Sequence, residues 1–201
     1  MPFHNAELFP LSANINIAGN LEIGGCDTVS MAQEFGTPLY VYDESTIRSM
    51  AKTYLHEFSS RYPDTTVAYA SKAFLNKEMS RIADEEGLSL DVVSGGEIAV
   101  AVSTGFPAER MYFHGNNKTL QELSEAINVG IGTIVVDGFQ ELDLLNEIAK
   151  GKGITQGIML RLSPSVDAHT HGHTTTGILD VKFGFSIESG ESTVAIRQAL
   201  N

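Results

Sequence analysis

The sequence predicts an α/β protein, a partial (β/α)8 barrel of the TIM type with about five βα units. Three observations predict it. Short strands alternate with helix-patterned segments from residue 66 onward, and alternating βα units build a parallel sheet. The strands are apolar nearly throughout, as parallel strands covered on both faces are. Glycine follows helix after helix, at Gly87, Gly105, Gly130 and Gly151, which is the left-handed stop that helices favour. No Gly-x-Gly-x-x-Gly follows the first strand, and no Gly-x-x-x-x-Gly-Lys-Ser/Thr is present; both absences weigh against a doubly wound nucleotide-binding sheet. A complete barrel typically takes about 250 residues, and the chain has 201. Five units in that length point to an incomplete barrel, with a complete five-stranded open sheet as the alternative.

The elements follow in order. Residues 1–38 are irregular in pattern, with a short helical turn at 31–35 stopped by Gly36 and Pro38. Residues 38–42, Pro-Leu-Tyr-Val-Tyr, read as a strand. Asp43 or Ser45 caps a helix running to about Tyr62, and Pro63 ends it. Four complete units come next: strand 66–70 with helix 76–86, strand 89–93 with helix 96–104, strand 110–113 with helix 120–129, and strand 133–136 with helix 139–150. A fifth strand, 157–162, precedes a long loop and a helical segment at 191–200. Residues 1–38 thus form an N-terminal segment, and 39–201 the first part of the barrel.

Charge and composition narrow the function. A net charge of -12 repels phosphates, which argues against nucleic acid and anionic membranes as partners. No apolar run is long enough to span a bilayer, and residues 1–19 do not read as a signal peptide. The single cysteine, Cys26, cannot form an internal disulfide. That fits a cytoplasmic protein, with Cys26 expected to be a buried thiol. The acidic helix positions Glu122, Glu125 and Glu141 are expected to be solvated surface.

In a βα barrel the chemistry sits at the C-terminal strand ends. Those ends present Lys72, then Asp91, then His114, then Asp137, then Arg161. A lysine just after an apolar strand can be desolvated into the neutral amine that carbonyl chemistry needs. Taken alone, Lys72 reads better as a surface lysine whose stem covers apolar neighbours. Asp91 reads also as a helix-capping carboxylate, Arg161 as a structural ion pair, and His114 as a satisfied loop histidine. Ser94-Gly95-Gly96 offers backbone N–H groups at a helix start, a geometry that suits anions but also simple tight packing.

Tyr69-Ala70-Ser71-Lys72-Ala73 resembles the cofactor-lysine motif of the alanine-racemase-like, barrel-type pyridoxal-phosphate decarboxylases. Residues 91–97, with Ser-Gly-Gly-Glu, resemble the next strand end of the diaminopimelate decarboxylase branch. His114-Gly115-Asn116-Asn117-Lys118 is similar to that branch, as are residues 166–171, Thr176-Gly177 and Lys182-Phe183-Gly184. The resemblance runs from about residue 35 to the end. It implies pyridoxal 5'-phosphate as cofactor, anchored on Lys72, with Asp91, His114 and Arg161 binding it. It implies decarboxylation of meso-2,6-diaminopimelate to L-lysine, in a homodimer. It implies an N-terminal fragment of a longer chain, since a His-x-Gly-Ser, a Glu-x-Gly-Arg and a Cys-Glu-Ser-Gly-Asp segment of a C-terminal β domain are expected further on. Phosphate binding is expected there too, and residues 1–38 are expected to associate with that domain. The chain alone is expected to be inactive. An ornithine, arginine or carboxynorspermidine decarboxylase, or a pyridoxal-phosphate carrier without turnover, are the alternatives. His169, His171 and His173 read as a loop near the mouth rather than a metal site.

Overall fold

The computed structural model describes residues 5–164 and 183–200. The His169, His171 and His173 run and the motifs at 166–171, 176–177 and 182 lie outside the described residues. The chain divides into two compact units, Met1–Val67 and Ala68–Asn201.

The first unit contains a small antiparallel sheet that the sequence pattern does not reveal. Its strands are β1 (Asn14–Ile15), β2 (Leu21–Ile23) and β3 (Cys26–Asp27), in that order. Polar side chains organise it. Asp27 Oδ2 accepts from Asn16 Nδ2 at 2.6 Å and from Asn20 Nδ2 at 2.9 Å. Its Oδ1 caps α1 (Thr28–Phe35), accepting from Val29 N at 2.8 Å and Ser30 N at 3.0 Å. Strands of two or three residues carry no usable alternation, so the pattern over these residues is that of irregular chain. Helix α2 (Glu44–Ser59) starts where expected, with Asp43 accepting from Thr46 N at 3.1 Å. Two expectations fail in this unit. Residues 38–42 form no strand among the described residues, and Tyr40 is 88% exposed. Apolar alternation cannot supply the neighbouring edge that a ladder requires. Cys26 is exposed rather than buried, because β3 is an edge strand.

The second unit is the barrel part. Strands β4 (Ala68–Ala70), β5 (Ser89–Val92), β6 (Met111–Phe113), β7 (Thr133–Val136) and β8 (Ile158–Leu160) pair in parallel, in sequence order. A doubly wound sheet reverses its order at a switch point; this one never reverses, and it winds as a barrel does. Helices α3 (Lys77–Glu85), α4 (Gly95–Ser103), α5 (Leu120–Asn128) and α6 (Phe139–Lys152) follow the first four strands. Helix α6 runs through Gly151, the expected stop, and ends at Gly153, which adopts the left-handed conformation at φ 66°.

The expected strand 157–162 is interrupted at Arg161. Beyond it, β9 (Leu162–Ser163) pairs in parallel with β10 (Phe185–Ser186), which leads into α7 (Glu191–Leu200). Arg161 bridges the two pairings: its N–H donates to Val136 O at 2.9 Å, and its carbonyl accepts from Phe185 N at 2.8 Å. Helix α7 is the helical segment expected at 191–200, and β10 is a further parallel strand where the sequence pattern shows only loop. Two residues are too few to show a period.

The core explains how the rim is aimed. Leu90, Val92, Met111, Phe113, Ile134 and Val136 are fully buried, as are Ala83, Ala101, Leu123 and Ala126 of the helices. Each large side chain buried this way contributes roughly 1.5–3 kcal/mol. Side chains alternate across a strand, so Asp91, between Leu90 and Val92, is turned to the opposite face of the sheet from the helix-covered core.

Candidate active site

The parallel register brings the strand ends to one rim. Lys72 lies in the 3-10 turn Ser71–Ala73 directly after β4. Asp91 of β5 stands beside Ala70 of β4 and Tyr112 of β6. His114 follows β6, its N–H donating to Val92 O at 2.8 Å. Arg161 follows β8.

Asp91 Oδ1 lies 3.9 Å from His114 Nε2, too far for a hydrogen bond. That oxygen is buried and has no hydrogen-bond partner among the described residues. The Ser71 hydroxyl, next to Lys72 in the chain, is in the same condition. Burial pushes the Asp91 carboxyl above its ordinary value, while the charges of His114, Lys72 and Arg161 pull the other way. Burial pushes the His114 imidazole down; Asp91 opposes this, and Arg161, Lys118 and Lys72 reinforce it. Both groups thus feel Lys72 and Arg161. All four residues chosen from the sequence, Lys72, Asp91, His114 and Arg161, share one electrostatic neighbourhood.

Arg161 is held by Asp137, a strand-end residue to which the sequence pattern assigns no role. Its Nη1 donates to Asp137 Oδ1 at 2.9 Å, and its guanidinium carbon stands 4.2 Å from the centre of the Phe183 ring. Behind Asp137 is a second ion pair, Lys118 Nζ to Glu141 Oε1 at 2.7 Å, with side chains only 1% and 11% exposed. Glu141 is therefore not solvated surface: its Oε2 also accepts from Asp137 N at 3.0 Å. Glu122 departs from that expectation too. It accepts from Gly95 N at 3.1 Å and Thr119 N at 3.0 Å. Glu125 is exposed as expected. A repeated spacing was the available signal. In two units a glutamate four residues past a strand-end amide accepts from it: Val93 N to Glu97 Oε2 at 2.6 Å, and Asp137 N to Glu141 Oε2. At Ser94-Gly95-Gly96 the Gly95 amide donates to Glu122 Oε1 at 3.1 Å, and the Ser94 hydroxyl caps α4 by accepting from Glu97 N at 3.2 Å. Among the described residues no cluster of His, Cys, Asp and Glu is placed to hold a metal ion.

A sequence profile described as "Pyridoxal-dependent decarboxylase, pyridoxal binding domain" matches residues 45–201. The chain belongs to this family. Diaminopimelate decarboxylase of Bacillus subtilis (strain 168) is 52% identical over 185 residues, covering 92% of the chain and 42% of that relative. The corresponding enzyme of Mycobacterium tuberculosis (strain ATCC 25618 / H37Rv) is 43% identical over 191 residues, covering 95% of the chain and 42% of the relative. Among solved structures, diaminopimelate decarboxylase from M. jannaschii in complex with L-lysine superposes with a TM-score of 0.83 at 34% identity, covering 95% of the chain and 45% of the solved one. The chain spans less than half the length of these relatives. The pyridoxal-binding domain described here thus carries its rim of Lys72, Asp91, His114 and Arg161 on a barrel shared with them, and no helix among its described residues is long and apolar enough to cross a membrane.

Proposed function

We propose that the whole protein decarboxylates meso-2,6-diaminopimelate to L-lysine and CO2, with pyridoxal 5'-phosphate attached at Lys72. The observation that carries this reading is the convergence of Lys72, the Asp91–His114 pair and Arg161 on one rim, in a chain about half identical to diaminopimelate decarboxylases. The donor set suits the cofactor. An amine meets an aldehyde carbon, a buried acceptor oxygen meets a protonated nitrogen, and a guanidinium meets an anionic oxygen. When bound, the cofactor takes up the electron pair left behind by departing CO2.

The chain's own residues do the rest. Lys72 would hold the cofactor through Nζ, and as a free amine it would hold and move a proton at that atom. Asp91 Oδ1, which lacks a hydrogen-bond partner among the described residues, would accept from a protonated nitrogen of the lysine–cofactor linkage. His114, held neutral by burial, lines the mouth without adding positive charge. Arg161 has five N–H donors; Asp137 engages Nη1 and the Phe183 ring orients the plane, so the fork presents donors to a cofactor oxygen. The same reading makes the protein a homodimer, which rests on resemblance, and a cytoplasmic one, which rests on the single cysteine.

The test is lysine formation from meso-diaminopimelate by the intact protein with added pyridoxal 5'-phosphate, beside Lys72→Ala. The expected result is lysine and CO2 in equal amounts from the wild type. The variant should lose both turnover and the lysine-bound cofactor absorbance. Ornithine or arginine turned over faster than diaminopimelate would replace the substrate. Lysine formation undiminished in Lys72→Ala would overturn the mechanism, and cofactor binding without turnover of any of these amino acids would make the protein a carrier.

A further inference from the structure

We infer that the buried Lys118–Glu141 pair positions this rim, fixing the turn that carries His114 and, through Asp137, the guanidinium of Arg161. This rests on the cofactor reading above. Lys118 Nζ faces three oxygens from three separate elements. It donates to Gly115 O at 2.6 Å, in the turn after β6, and to Val135 O at 2.9 Å, in β7, and it pairs with Glu141 Oε1 at 2.7 Å, in the first turn of α6. The two carbonyls take two of the three ammonium protons, and the Glu141 carboxylate adds a charge contact, its buried Oε1 making no hydrogen bond among the described residues. Methionine would fill much of the same space without the cost of desolvating a charge. Only the ammonium ties three elements together, two by hydrogen bonds and α6 by opposite charge.

From there the links are continuous. Gly115 is the neighbour of His114, so its carbonyl sets the path of the chain that presents the imidazole. Glu141 Oε2 holds the Asp137 amide at 3.0 Å. The Asp137 carboxylate holds Arg161 Nη1 at 2.9 Å and accepts from Gly184 N at 3.3 Å. Lys118 and Glu141 are positioning residues: they act on the rim through Gly115 and Asp137.

The experiment uses the intact protein loaded with pyridoxal 5'-phosphate. Glu141→Gln keeps the shape and the acceptor for Asp137 N while removing the charge; Lys118→Met removes the donors. The readouts are the cofactor dissociation constant and the circular dichroism induced in the bound cofactor's absorption band, which reports the geometry around it. A urea midpoint checks that each variant folds. Misplacement of an orienting group costs up to about a hundredfold in rate, and the expected result is cofactor binding weakened roughly tenfold, with the induced band at least halved, in a folded Glu141→Gln. Unchanged affinity and unchanged induced band in that variant overturn the inference. So does complete loss of folding in Glu141→Gln, since the pair would then be a folding element. Wild type and Lys72→Ala run alongside: if the wild type shows no cofactor band that Lys72→Ala abolishes, the cofactor reading itself has failed, a different outcome from an unaffected Glu141→Gln.

Discussion

Replacing Gly184 by alanine tests whether the pairing of β9 with β10 holds the rim. Gly184 sits at φ +73°, and a Cβ built on it would come within 2.6 Å of Arg161 O and 3.1 Å of Arg161 C. Two costs follow. Holding an L-residue in the left-handed region costs about 1–2 kcal/mol. Forcing a methyl against a backbone carbonyl adds the kind of overpacking penalty that runs about 1–3 kcal/mol. Gly130 separates the two. It has nearly the same backbone, φ +78°, but nothing within 4 Å of its built Cβ. Gly130→Ala should therefore lose about 1–2 kcal/mol, and Gly184→Ala about 2–5 kcal/mol. The obstacle in Gly184→Ala is the carbonyl of Arg161, which accepts from Phe185 N at 2.8 Å. Relief of the clash must shift that peptide or part β10 from β9, and either moves Arg161. Urea unfolding and pyridoxal-phosphate affinity of the intact protein are the assays. Both variants should lower the urea midpoint, Gly184→Ala further, and only Gly184→Ala should weaken cofactor binding. Equal behaviour of the two in both assays would show that the carbonyl contact is not felt and would refute the reasoning.

Two further outcomes follow from caps. Thr119 and Glu122 form a reciprocal capping box at the start of α5, Thr119 Oγ1 accepting from Glu122 N at 3.2 Å and Glu122 Oε2 accepting from Thr119 N at 3.0 Å. Thr119→Ala should cost about 1 kcal/mol, read as a lower urea midpoint with unchanged slope; an unchanged midpoint would mean that packing alone holds the helix end. Asp27 is held down from 3.8 to about 2, chiefly by the Asn20 amide, with the Ser30 N–H and the Asn16 amide adding to it. A depressed carboxyl stabilises the fold fully above its ordinary value and progressively less as pH falls through the folded one. The difference in thermal midpoint between wild type and Asp27→Ala should accordingly be constant above about pH 5 and shrink from about pH 4 down to about pH 2. A difference that stays level through that window would show that the carboxylate charge is not what Asp27 contributes.

The order of βα units was legible in the chain because periods of 2 and 3.6 are local properties, as are the glycines that stop helices at Gly87, Gly105 and Gly130. Order in turn located the rim, since a parallel strand always delivers the same end to the same side. Order placed Lys72, Asp91, His114, Asp137 and Arg161 at strand ends, and the resemblance to the decarboxylase family singled out Lys72, Asp91, His114 and Arg161 among them. Other features depend on what arrives from elsewhere in the chain. Residues 38–42 have the composition of a strand but not its pairing, and β10 has the pairing without a readable composition. Cys26 is exposed because its strand is at an edge, which no property of cysteine decides. Glu141 has the sequence setting of a surface helix residue, and it is buried because Lys118, 23 positions earlier in sequence, places an ammonium 2.7 Å away. A charge enters a protein interior only when its partner is already there, and partners are assigned by folding in three dimensions, not by the pattern along the chain.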